Sequence, residues 1–130
     1  MGPLHIEDDD KETVVEVLTS SMLELFDKYI DFFEGILQPD SSLASMRESS
    51  IVTDNQRKSI DVLFRRLMFH KRKELLVKLH PTTETQTTFL RETLTFWKSV
   101  KDEVEGHVKM IIEAWNINDI DEPITQGYFG

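Results

Sequence analysis

Apolar residues recur every three or four positions from Val14 to Leu37, and this run constrains the fold more than any other feature of the chain. A strand has a side-chain period of two and could not gather such residues on one face, whereas a helix can. Two neighbouring rows follow this spacing: Val15, Leu18, Met22, Leu25, Tyr29, Phe32 and Ile36, and beside it Leu23, Phe26, Ile30, Phe33 and Leu37. Together they are wider than one partner helix can cover, so we expect this helix to pack against at least two others.

Two further segments show the helical period. The second is predicted at 54–79, where Thr53 followed by Gln56 is typical of a capping box and Pro81 ends the pattern. Its predicted core stripe is Ile60, Leu63, Phe64, Leu67, Met68, Leu75, Leu76 and Leu79. The third is predicted at 83–116, with apolar residues Leu90, Leu94, Trp97, Val100, Val104, Val108, Ile111 and Trp115. Between the first two helices, residues 40–53 carry five serines and predict a loop with one turn of helix at about 43–46.

The sequence therefore predicts an all-α fold, an antiparallel up-down-up bundle of three long helices at about 11–38, 54–79 and 83–116. A short loop helix or dimerisation would complete it to four or more. We expect residues 1–10 to form an acidic leader that is partly vector-like, residues 11–116 to form the bundle domain, and residues 117–130 to form a C-terminal tail.

The composition of the chain limits the partners and the location that we expect. The 130 residues carry a net charge of −9, which disfavours nucleic acid as a partner because phosphate contacts need clustered positive charge. The sequence has no cysteine and no apolar run long enough to cross a bilayer, so we expect a cytoplasmic location, with the nucleus as the alternative.

Motifs of enzymes are missing from the sequence. It has no glycine-rich phosphate loop, no nucleophile elbow and no paired metal-ligand spacing, so we predict no catalytic residue, no metal and no cofactor. Glu103 and His107 share a helix face, so a carboxylate and histidine site there is one hypothesis, and a satisfied or half-exposed histidine is the other.

The second helix concentrates positive charge in an otherwise acidic chain. Arg65, Arg66, Arg72 and Lys73 form a predicted basic face for an acidic or phosphorylated peptide or an anionic lipid head group. The alternative is that this helix neutralises the acidic first helix inside the bundle.

The chain has more aromatic residues than the contacts between three helices need. Phe26, Phe33, Leu37 and Phe96 form a predicted apolar strip that receives a partner helix, with a homodimer seam or a locally thicker core as alternatives. The sequence thus favours a non-enzymatic protein interaction or assembly module, of the scaffold or adaptor kind. The other hypothesis is a peripheral domain that binds anionic membranes or phosphoinositides.

Overall fold

Five helices and no strand make up the part of the chain that the structure, a computed structural model, describes: the backbone of residues 2–116 and the side chains of residues 13–116. The helices are α1 (Gly2–Leu37), α2 (Leu43–Ile51), α3 (Asp54–Arg72), α4 (Glu74–Leu79) and α5 (Thr83–Ala114). The prediction of an all-α helical bundle is confirmed. The predicted tail at 117–130 lies outside the described residues.

Three predicted boundaries were wrong. Helix α1 begins at Gly2 rather than near residue 11, so the backbone of most of the predicted leader is helical. The predicted loop contains the nine-residue helix α2, which is longer than the single turn expected. The second long helix is interrupted at Lys73, whose backbone nevertheless stays in the right-handed helical region at φ −60° and ψ −23°.

The core lies where one face of α1 meets α3 and α5. The second of the two predicted rows of α1 provides most of this face, since Leu23, Phe26, Ile30 and Phe33 are buried and Leu18 of the first row is exposed. The rest of the core comes from Val52, which directly follows α2, and from the α3 and α5 residues Ile60, Leu63, Leu67, Phe89, Val100, Val104 and Ile111. Burial of this apolar surface is the main force that holds the bundle together.

Phe26 sits at the centre of a cluster of rings from three helices. Its ring centroid lies 5.9 Å from that of His70, 5.8 Å from that of Phe96 and 5.7 Å from that of Trp97. These separations fall in the range at which aromatic pairs attract each other beyond simple burial. The cluster fixes α3 and α5 against the middle of α1.

Helix α2 is held by a capping serine and by hydrogen bonds to residues of α1 and α3. Ser42 caps its first turn by accepting a bond from the Ser45 amide at 3.1 Å. The buried Ser49 hydroxyl donates to the Ile36 carbonyl at 2.9 Å, and Arg57 of α3 donates to the carbonyls of both Ile36 and Ser49, at 2.9 and 2.7 Å. These are carbonyls in the last turns of α1 and α2, which have no partner within their own helices.

Contacts along α1 and α3 support the predicted helix order. Arg57 near the start of α3 bonds to Ile36 near the end of α1, while Lys71 near the end of α3 pairs with Asp27 further back along α1. The up-down-up order itself stays a prediction.

Candidate interaction surface

The predicted apolar strip does not form a surface. Phe26 and Phe33 are 0% exposed and lie inside the core, while Leu37 and Phe96 are half-buried and pack against it. The prediction that Phe26 and Phe33 belong to a docking surface was therefore wrong. They belong to the core, as in the alternative of a locally thicker core. The physical reason is that α3, α5 and α2 together cover the wide apolar sector of α1.

An apolar row instead runs along the outward face of α3 and α4. Val62, Phe69 and Leu76 are spaced seven residues apart and are 54%, 67% and 66% exposed. Because the backbone at Lys73 remains helical, the helical rotation carries this row, which we call the outer stripe, across the interruption. A seven-residue repeat of this kind places side chains along one narrow seam.

The predicted core stripe of the second helix fails at its end. Leu75, Leu76 and Leu79 of α4 were expected to be buried, but they are 58%, 66% and 71% exposed. Glu74, Val77 and Lys78 are the α4 residues that line the cleft between α1 and α5. In a sequence as apolar as that of α4, periodicity does not decide which residues face inward.

The four predicted basic residues lie between the members of the outer stripe. Arg65 and Arg66 fall between Val62 and Phe69, whereas Arg72 and Lys73 fall between Phe69 and Leu76. We call these four residues the basic pairs. Arg65, Arg66 and Arg72 are exposed and Lys73 is half-exposed, so the structure brings positive charge to both flanks of an apolar seam.

Aromatic rings hold two of these cations in place. The guanidinium of Arg66 lies 5.6 Å from the centre of the Phe96 ring, and the ammonium of Lys73 lies 5.2 Å from the centre of the Phe69 ring. Both separations are within the range of cation–π attraction. Arg65 also pairs with Asp61 one turn earlier, at 3.2 Å.

Charge compensation inside the bundle involves a different residue. Lys71 pairs with Asp27 of α1, and its side chain is 34% exposed. This contact agrees with the alternative in which the basic helix neutralises the acidic first helix, but it involves none of the four residues of the basic pairs.

A cleft of about 380 Å³ lies between residues of α3 and α5. It is lined by His70, Lys73, Arg91, Glu92, Thr95 and Phe96. The Thr93 hydroxyl lies 2.7 Å from the Phe89 carbonyl, to which it donates, and its oxygen shares a 2.8 Å hydrogen bond with His70 Nε2. Burial, and secondarily the charge of Lys73, lower the pKa of His70, although Glu92 opposes the shift.

Sequence reasoning found the basic pairs but missed the outer stripe. Val62 and Phe69 were left out of the predicted stripe, although the seven-residue spacing to Leu76 is visible in the sequence. The sequence signal for the outer stripe is a second apolar row, on the side of the helix opposite the row that faces the core.

Other candidate positions show no assembled site. His107 Nε2 and Glu103 Oε2 are 3.9 Å apart on α5, and no group of three potential metal ligands occurs among the side chains that the structure describes. In α2 the Ser49 hydroxyl is buried and donates to the Ile36 carbonyl, while Ser50 is exposed.

The chain matches no family model, no curated protein and no solved structure. None of the helices described between residues 2 and 116 has the length and apolar character needed to cross a bilayer.

Proposed function

We propose that this chain is a non-enzymatic protein interaction or assembly module whose partner binds the outward face of α3 and α4. The observation that carries the proposal is the outer stripe, three large apolar side chains at least half exposed and regularly spaced between two basic pairs. We place the protein in the cytoplasm, with the nucleus as the alternative, and assign it no cofactor.

The outer stripe contributes little to the fold of the single chain. A side chain that is more than half exposed gains only part of the stabilisation of full burial, about 1.5–3 kcal/mol for a residue of this size. Apolar residues scattered singly on a surface need no explanation, but we interpret a regularly repeated exposed row with a charged rim as an interaction site. A partner would supply the burial that the bundle does not.

Anionic membranes are the second candidate. The basic pairs would attract phosphate head groups, and the exposed Leu75 and Leu79 widen the apolar face of α4. Peripheral helices that insert into a bilayer usually present a broad apolar face, however, and the outer stripe is only one residue wide along α3.

A library of displayed helical peptides tests the protein-binding proposal. Selection is run on the wild-type chain and on a Phe69→Asp/Leu76→Asp variant, with a Leu43→Asp/Ile112→Asp variant as the control for added charge at exposed apolar positions. The proposal predicts peptides that bind the wild type and the control but lose binding to the first variant. Enrichment of peptides that bind all three chains equally would contradict it.

Sedimentation with vesicles tests the second candidate. Vesicles that contain phosphatidylserine should leave the protein in the supernatant if the partner is a protein. Sedimentation that is abolished by reversing the charge of the basic pairs would instead support membrane binding.

A further inference from the structure

We infer that the partner of the outer stripe is a single acidic amphipathic α-helix, and this inference rests on the proposed function. The juxtaposition that points to it is one narrow apolar seam flanked by two pairs of cations that lie about two helical turns apart. A helix that fits the seam carries apolar residues alternately three and four positions apart and Asp or Glu on both sides of them.

The dimensions of the seam suit one helix. At about 1.5 Å per residue, the fourteen steps from Val62 to Leu76 span about 21 Å. A partner of about four helical turns would cover this length. In packed helix pairs an apolar seam receives the apolar side chains of the facing helix, and charged residues at its edges select the partner.

The positions of the basic pairs specify an acidic partner. Arg65 and Arg72 are seven residues apart, as are Arg66 and Lys73, so each flank of the seam carries two cations at the same repeat as the outer stripe. Two acidic residues lie near them: Asp61 pairs with Arg65, and Glu92 lines the cleft that Lys73 also lines. Carboxylates on both edges of a docked helix would meet these cations, and arginine can bind a carboxylate through two parallel bonds.

The same charges disfavour a second copy of this face. In a symmetric dimer built on the outer stripe, the basic pairs of one chain would approach the basic pairs of the other. Like charges opposite each other cost free energy, and a two-fold interface uses the same patch on both subunits. An acidic helix from a different protein removes this repulsion.

The cation–π contacts prepare the seam for binding. Because Lys73 lies over the Phe69 ring and Arg66 over the Phe96 ring, both cations are held beside the seam before a partner arrives. Side chains that are ordered in advance lose less conformational entropy when they bind.

Three synthetic peptides test the inference. All have the same leucine seam, at alternating three- and four-residue spacing, and differ only in their flanks, which are glutamate, glutamine or lysine. Fluorescence anisotropy with a labelled peptide measures the affinity of the full chain for each. We expect the glutamate peptide to bind at least about tenfold more tightly than the glutamine peptide and the lysine peptide to bind weakest.

Charge-reversal variants locate the binding site. Arg72→Glu/Lys73→Glu should weaken the glutamate peptide at least about tenfold and strengthen the lysine peptide relative to wild type. Lys98→Glu/Lys109→Glu, on exposed positions of α5, makes the same change in net charge and should leave both affinities within about twofold. Circular dichroism confirms that each variant is folded before affinities are compared.

The outcomes separate the inference from the proposed function. If glutamate and glutamine peptides bind equally and Phe69→Asp abolishes both, the face binds a helix but the acidic partner is contradicted. If no peptide binds and phosphatidylserine vesicles do, both the inference and the protein-binding proposal are overturned. Equal loss of glutamate-peptide affinity in the α5 control variant would also overturn the inference, because net charge rather than the seam would then decide binding.

Discussion

The inward and outward faces of α3 carry similar apolar residues in different surroundings. On the inward face Ile60, Leu63 and Leu67 are completely buried, whereas on the outward face Val62 and Phe69 are more than half exposed. The inward residues are enclosed by α1 and α5, and the outward ones are enclosed by nothing within the described part of the chain. One helix thus shows two apolar rows, one that is buried in the core and one that is exposed and that we propose binds a partner.

We expect the largest difference in the free energy of unfolding between alanine substitutions of two phenylalanines, one buried and one exposed. Phe26→Ala removes the centre of the ring cluster and should lower the free energy of unfolding by about 3–5 kcal/mol, as large core truncations do. Phe69→Ala removes an exposed ring and should change it by no more than about 0.5 kcal/mol. Urea unfolding of the two variants measures the difference. Equal destabilisation would show that the outward face belongs to the core.

Arg57 gives the next largest effect, because it bonds two helix ends at once. Arg57→Ala leaves the Ile36 and Ser49 carbonyls without this donor, and we expect a loss of about 1–3 kcal/mol in unfolding free energy. Arg72→Ala, on the outer face, is the matched control and should be close to neutral. Hydrogen exchange should show faster opening of α2 only in the Arg57 variant.

The capping box at the start of α3 predicts a smaller effect. Thr53→Ala removes the oxygen that accepts the Gln56 amide at 3.2 Å, and the expected cost is about 1 kcal/mol. Thr88→Ala, an exposed substitution within α5, serves as the control. Thermal unfolding that shows no difference between these variants would contradict a stabilising role for this cap.

His70 predicts the pH dependence of stability. Its pKa lies below the ordinary value of 6.5, so the folded chain favours the neutral ring more than the unfolded chain does. The resulting stability is complete above pH 6.5 and is lost as the pH falls from there through the lowered pKa. His70→Gln should remove this loss, whereas His80→Gln, at an exposed position, should keep it. Urea midpoints between about pH 7.5 and about pH 5.5 provide the test.

Periodicity in the sequence was sufficient for most of the helical content. The three- and four-residue spacing identified α1 and α5, and Thr53 with Gln56 marked the first turn of α3. These features are local, since they depend on residues within one turn or a few turns of each other. They could therefore be predicted without knowledge of the neighbouring helices.

The formation of α2 and the burial of the α1 residues depend on tertiary contacts, which sequence periodicity does not show. Helix α2 has no apolar period and depends on Ser49 and Arg57, whose partners lie in other helices. Which row of α1 faces the core also depends on where α3 and α5 lie, so Phe26 and Phe33 were assigned to a surface that does not exist. The basic pairs were found because charge concentration is visible in the sequence, but their relation to Val62, Phe69 and Leu76 required the exposure of each side chain.

Amide chemical-shift mapping of the nitrogen-labelled chain with the glutamate-flanked peptide tests the central claim most directly. We predict that the largest shift changes fall on the outward face of α3 and α4, around Arg65, Phe69, Arg72 and Leu76, while the amides of Leu63 and Leu67 change less. Largest changes on α2, or along α5 away from Phe96, would contradict the assignment of the outer stripe as the binding surface.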